Sequence, residues 1–239
     1  MEPLSAIPYH PMLADAIRQF WHVRQRQASQ SSVSGQGNRG AVTGGKQLDG
    51  MLQLFCKAAE DAGVPPSCIF TRKNHLPGYF RPSKDWDFLI VSPRNQLIAA
   101  IELKSQVGSF GNNFNNRAEE AIGNAVDLWT AFREQVFEQS QAPWVGYLML
   151  VEKNASSTRA VRPPASLFPY SRDFESSSYL DRYAILCRKL LRERHYTAAS
   201  LIWTTPEIEY GFPESSLSFD AFLLSFIGFI QGMQQVFRT

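Results

Sequence analysis

Cysteine is scarce: Cys56, Cys68 and Cys187 lie far apart, with no Cys-x-x-Cys pair. So odd and dispersed a set argues against a disulfide framework and for reduced thiols. His10, His22, His75 and His195 are equally scattered, so the clustered spacing of a zinc site is missing as well. No apolar run approaches the length that crosses a bilayer; the longest candidate, residues 221–230, lies between Asp220 and Gln231. Residues 1–12 carry no charged-then-apolar signal pattern, and the expectation is a cytoplasmic protein. An excess of either charge is also lacking. With 24 Lys and Arg against 22 Asp and Glu, bulk charge neither demands nor forbids a polyanionic partner, and its arrangement must decide. No internal repeat is visible.

Hydrophobic residues are plentiful, at 44% of the chain with 17 Phe and 5 Trp, enough for one core at this length. Residues 11–27 carry Leu13, Ile17, Phe20 and Trp21 at helical spacing, and the Ser, Gln and Gly of residues 28–45 read as a flexible loop. Leu48, Met51, Leu52, Phe55 and Ala59 predict a helix over 46–62, stopped by Gly63 and Pro65. An irregular stretch follows over 74–84. Two apolar runs, 86–92 and 97–103, flank the turn 93–96 and predict a hairpin. A helix over 116–139, with Ala118, Ile122, Ala125, Trp129, Phe132 and Val136 on one stripe, leads to an apolar strand over 144–151. Strand, helix, strand implies a parallel crossover. A loop over 152–177, a helix over 179–195, a strand over 199–204 and a helix over 219–237 complete the chain. The predicted fold class is α/β, with a mixed central sheet flanked by helices.

The hairpin concentrates the chemistry. A four-residue turn sets Ser92 opposite Leu97 and therefore Asp87 opposite Glu102. Like charges that face each other across two strands repel unless a cation lies between them. Lys104 shares a face with Glu102, while Ile101 and Leu103 point the other way. The rest of both strands is apolar, so three charges at one end of a buried hairpin require a reason. Two hard carboxylates, with the Leu103 carbonyl as a third oxygen, suit Mg²⁺. Lys104 would then orient or help deprotonate an attacking water, as phosphodiester hydrolysis requires. Asp85 has the same parity as Asp87 and is the alternative first acid, and Asp49 and Glu60 are remoter candidates for an auxiliary one. A surface Glu–Lys pair is the plain structural alternative for Glu102 and Lys104.

The segments GYFRPSKDWD, residues 78–87, and IELKSQVGSFGNNFNNRAEEAIG, residues 101–123, resemble the XhoI family of restriction endonucleases, within the PD-(D/E)xK nuclease superfamily. Further likeness lies at Gly44 to Gly50, at Phe168 and Pro169, at Ser178 to Leu180 and at Cys187 to Leu190. Trp86 stands where the superfamily usually has a proline before the first aspartate. The resemblance implies a restriction-endonuclease-like core and a homodimeric, bacterial type II enzyme. Such an enzyme uses Mg²⁺ to cut double-stranded DNA at the palindrome CTCGAG, leaving 5′ overhangs, while a cognate DNA methyltransferase protects the host. It also implies a single nuclease domain over 1–239, with its catalytic core at 46–151 and a C-terminal extension at 152–239. A structure-selective repair or junction nuclease and a non-catalytic DNA-binding regulator of the same fold are the competing readings.

Beyond the strand, residues 108–117 combine glycines, Asn112, Asn113, Asn115, Asn116 and Arg117. Asn pairs with adenine, Arg with guanine, and Gly admits backbone close to phosphate, so the segment reads as a DNA-contacting loop. Helix capping by Asn115 or Asn116 is the alternative. Gln106 continues the face of Glu102 and Lys104 toward phosphate or water. Glu119 and Glu120 suit a first helical turn. Arg182, Arg188, Lys189, Arg192 and Arg194 give the 179–195 helix a basic bias that fits either phosphate contact or a solvated face. The stripe Phe219, Leu223, Phe226, Ile230, Met233 and Phe237 reads as core first, a dimer seam second.

Overall fold

A computed structural model describes residues 5–34, 46–72, 74–137 and 140–238. Helix α1 (His10–Ser34) buries Leu13, Ile17, Phe20 and Trp21. It continues through 28–34, the first part of the expected loop, because no glycine or proline interrupts that stretch to stop it. Residues 35–45 of the expected loop lie outside the described residues. Helix α2 (Asp49–Asp61) follows a 3-10 turn and closes where expected. Gly63, at φ +93°, lets its own N–H reach the Glu60 carbonyl and the Val64 N–H reach that of Ala59, both at 2.9 Å.

Strand β1 (Ile69–Phe70) precedes a small hairpin, β2 (His75–Pro77) and β3 (Ser83–Asp85), where an irregular segment was expected. Strands β4 (Phe88–Val91) and β5 (Leu97–Gln106) form the predicted antiparallel pair. Its turn is one residue shorter than predicted. Val91, not Ser92, faces Leu97, and Asn95 adopts φ 59° behind Ser92. The next pairs are Ile90 with Ala99, Leu89 with Ala100 and Phe88 with Ile101, so Ile98 is an extra residue on β5. Bulge and short turn cancel, and the predicted register returns at the far end of the hairpin.

Helix α3 (Phe110–Arg133) begins six residues before the predicted start at Asn116. The asparagine-rich segment is therefore helical rather than a loop, Ser109 and not Asn115 or Asn116 is the N-cap, and Glu119 and Glu120 lie beyond the first turn. Aromatic packing overrides weak propensity here: Phe110 stacks on Tyr179 at 6.1 Å and Phe114 meets Tyr183 edge-on at 5.3 Å. The buried stripe is Ala121, Asn124, Ala125, Asp127, Leu128 and Ala131, while the predicted members Ile122 and Val136 are exposed.

Strand β6 (Trp144–Glu152) runs parallel to β5 as expected, and α4 (Ala155–Thr158) is a single turn inside the predicted 152–177 loop. Helix α5 (Tyr179–Arg192), β7 (Ala198–Thr204), the short β8 (Tyr210–Gly211) and α6 (Phe219–Gly232) follow. The basic side chains of α5 are largely engaged within the fold. Arg188 pairs with Glu214 at 2.8 Å, Lys189 with Asp173 at 3.0 Å, and Arg182 donates to Ser177 and to the Val161 carbonyl.

The sheet order is β1-β4-β5-β6-β7-β8, antiparallel at its edges and parallel through β5, β6 and β7. Helices α1, α2 and α6 cover one face, where Phe55 packs its ring 5.6–6.2 Å from Phe88, Phe222 and Phe226. The α6 stripe is core: Phe219, Leu223, Phe226 and Ile230 are fully buried. Helices α3 and α5 cover the other face. Each such buried ring or aliphatic chain contributes roughly 1.5–3 kcal/mol, and the double cover explains why the central strands read as continuous apolar runs.

Candidate active site

The last ladder pair of the central hairpin is Phe88 with Ile101, and one further step in that register sets Asp87 opposite Glu102. At Trp86 the chain leaves β5: the Trp86 N–H donates to the Asn74 carbonyl instead. The Leu103 N–H, which would otherwise lack a partner, donates to Asp87 Oδ2 at 2.7 Å. A residue's N–H and C=O leave an extended strand on the same side, so the Leu103 carbonyl faces the space beside Asp87. Ile101 and Leu103 join the core under α1, α2 and α6. Glu102 projects to the opposite side, where Asn124 of α3 donates to its Oε1 at 3.3 Å.

Glu102 is 1% exposed and ion-paired at both oxygens, with Lys104 on Oε1 and Lys84 on Oε2 at 2.5 Å. Burial and the neighbouring charge of Glu102 push the Asp87 carboxyl up to about 6, against smaller opposing effects of the Leu103 N–H and the two lysines. Burial alone would lower Lys104, but the ion pair and hydrogen bond with Glu102, helped by Asp87 and Glu120, hold its ammonium above the ordinary range. Among the described residues no group of three or more His, Cys, Asp and Glu could hold a metal. The donors available here are instead two carboxylates and a main-chain carbonyl. That is hard-oxygen chemistry of the kind that suits a small divalent cation, and the mutual repulsion felt at Asp87 is what such a cation relieves.

A second brace stands behind Asn124. Asp127, on the same stripe of α3, accepts the N–H groups of Tyr79 and Phe80 at 2.9 and 2.8 Å and Arg81 Nε at 2.8 Å. Burial pulls the Asp127 carboxyl up, but these donors outweigh it and hold it below the usual range. Arg81 also donates to Asn124 Oδ1 at 2.8 Å. The tip of the β2–β3 hairpin is thereby joined through Arg81 and Asn124 to Glu102.

Asp87 and Lys104 open onto a cleft of about 1070 Å³. Arg24, Lys46, Arg72, Lys104 and Arg117 line it against Asp49, Asp85 and Asp87, leaving it net positive among the described residues. Leu103, Gln106 and Asn113 also line it. Asn112 and Asn116 are exposed on the first turns of α3, and Asn115 lines a separate depression with Val161 and Phe174. Asp85 pairs with His75 at 2.6 Å on the exposed hairpin, and Glu60 borders a different pocket.

Four buried polar atoms of the cleft wall have no hydrogen-bond partner among the described residues: Gln47 Oε1, Asn74 Oδ1, Gln106 Oε1 and Arg117 Nε. The orientation of the three amides among them is set by what the nitrogen of each donates to. Asn74 Nδ2 donates to the Trp86 and Asp87 carbonyls, and Gln106 Nε2 to the Gly108 carbonyl at 2.7 Å. Unsatisfied buried groups gathered at one cleft mark where a polar ligand completes them. Lys84, Asn124, Asn74 and Gln47 escape the sequence reading. Asn124 follows Arg117 by two helical turns and was legible had the α3 stripe been phased correctly. Lys84 reaches Glu102 only through the path of the small hairpin.

Comparison with known proteins follows the same lines. A family model described as restriction endonuclease XhoI matches residues 26–210. The type II restriction enzyme BstVI of Geobacillus stearothermophilus is 49% identical over 179 residues, 72% of this chain and 80% of that enzyme. The type II restriction enzyme XhoI of Xanthomonas vasicola is 45% identical over 193 residues, 79% of this chain and 77% of its own length. AbrI of Azospirillum brasilense, another type II restriction enzyme, is 41% identical over 174 residues, covering 71% and 78%. No solved structure matches the chain at a significant level.

Proposed function

Because the chain belongs to the XhoI restriction endonuclease family and is with it a type II DNA endonuclease, we propose that it hydrolyses duplex DNA at the palindrome CTCGAG, leaving 5′ overhangs, with Mg²⁺ as cofactor. The observation that carries this reading is the carboxylate pair Asp87 and Glu102 beside Lys104, at the edge of a cleft with net positive charge. Asp87, Glu102 and the Leu103 carbonyl are the oxygens that would hold the metal. When bound, Mg²⁺ would supply Lewis-acid charge to the scissile phosphate.

The protein's own groups do the rest. Lys104 orients the attacking water, which loses its proton to solvent, and offsets the negative charge that grows on the phosphoryl oxygens, while the leaving oxygen takes a proton from solvent in turn. Glu102 keeps Lys104 in place. Gln106, Asn113 and Arg117 meet the DNA from the cleft wall, with Asn112, Asn115 and Asn116 on the adjoining turns of α3. Arg117 Nε and Gln106 Oε1, one donor and one acceptor, are ready for phosphate and base groups.

A palindromic site implies two symmetric active centres, hence a homodimer. Host DNA then needs a cognate methyltransferase, and the enzyme acts in the bacterial cytoplasm. Digestion of a fully sequenced DNA with and without Mg²⁺, followed by mapping of the ends, tests the reading. Ends at CTCGAG alone are expected. Cutting governed by branched structure, or binding without cutting in Mg²⁺, would overturn it.

A further inference from the structure

Glu102 is held by two lysines, and only one of them belongs to the Glu-x-Lys strand. Lys84 comes from β3, three residues before Asp87, and its side chain is 12% exposed against 24% for Lys104. Its ammonium has three partners: Glu102 Oε2 at 2.5 Å, the Asp85 carbonyl at 2.6 Å and the face of Trp86 at 4.7 Å. A lysine so enclosed has given up most of its water, and its position needs a compensating anion. The anion is Glu102. Counted together, Asp87, Glu102, Lys84 and Lys104 carry no net charge, so a divalent ion entering this cluster meets two ammonium groups already on one of its ligands.

We propose that Lys84 is a positioning residue that acts as an internal counter-ion, holding Glu102 in its pose before metal loading and competing with the divalent ion for that carboxylate. The proposal rests on the metal reading given above. It makes Lys84 a brake on metal binding, so that removing it strengthens the binding of an ion that most damaging substitutions would weaken. That sign separates it from a merely structural role.

The test is calorimetric titration of the DNA-free protein with Ca²⁺, comparing wild type, Lys84→Met, Lys84→Gln, Lys84→Arg and Asp87→Asn. Lys84→Met is expected to lower the Ca²⁺ dissociation constant by roughly tenfold. Lys84→Gln should act in the same direction, covering the case in which the methionine variant fails to fold. Lys84→Arg, which keeps the charge, should stay within about twofold of wild type. The Mg²⁺ concentration for half-maximal plasmid cleavage should fall in parallel in Lys84→Met and Lys84→Gln. If Ca²⁺ binding depends on Asp87 but is unchanged or weaker in both charge-removing variants, the role of Lys84 is overturned and the metal reading stands. If wild type shows no Asp87-dependent Ca²⁺ binding, both fall.

Discussion

Asp87 answers to two opposing demands, accepting the Leu103 N–H as a carboxylate while facing Glu102 in a partly buried position. The second demand wins in the metal-free protein, and the group titrates near 6 instead of in the ordinary carboxylate range. Its contribution to stability is fully present below that ordinary range and is lost as pH rises through about 6. The loss is on the order of 2–3 kcal/mol. In metal-free urea titrations, Asp87→Asn should therefore flatten the fall in stability between about pH 4 and 6 and be the more stable protein at pH 7.5. A wild-type slope retained in the variant would remove Asp87 as its source. Lys104→Ala should cut cleavage by about 100-fold or more while duplex binding persists, and surviving cleavage would exclude Lys104 from the mechanism.

Helix α3 shows how an element can start where local propensity advises against it. Phe110 and Phe114 are four residues apart, as are their partners Tyr179 and Tyr183, so two helices present matching aromatic pairs. Gly108 at φ +61° and Ser109 at φ 45° turn the chain sharply off β5 just before them. Phe110→Ala should cost about 3 kcal/mol and raise amide exchange over residues 110–117. Unchanged protection there would mean that the first turns stand without the aromatic contact. The β2–β3 tip is the second such element. A Cβ on Gly78 would lie 2.4 Å from Asp127 Oδ2 and 2.7 Å from the Arg81 carbonyl. Gly78→Ala should thus destabilise by about 1–3 kcal/mol in denaturant titration, whereas a neutral effect would show that the brace yields freely.

For the molecule as a whole, the cleft gathers positive charge that the near-neutral composition does not announce. Arg117 reaches it from α3, Arg24 from α1, and Lys46 and Arg72 from the segments around α2 and β1. Each phosphate contact contributes about one unit to the slope of log binding constant against log salt. Arg117→Ala should lower that slope by about 1, measured by fluorescence anisotropy on a labelled duplex between low and moderate salt. An unchanged slope would place Arg117 away from phosphate. No helix among the described residues is long and apolar enough to cross a membrane, in line with a sheet covered on both faces by amphipathic helices.

The sequence by itself determined the α/β class, the central antiparallel pair, the parallel partner strand and the placing of Lys104 beside Glu102, because side-chain parity along a strand is a local property. The facing of Asp87 and Glu102 came out as predicted because the shorter turn and the Ile98 bulge offset each other. It misjudged the start and phase of α3, because the deciding contacts come from a helix some seventy residues downstream. Only the tertiary structure decided that Lys84 and Asn124 meet Glu102, that Asp127 clamps the hairpin tip, and that dispersed cations share one cleft. These contacts join residues distant in sequence, and their geometry exists only once the sheet has brought its edges and covering helices together.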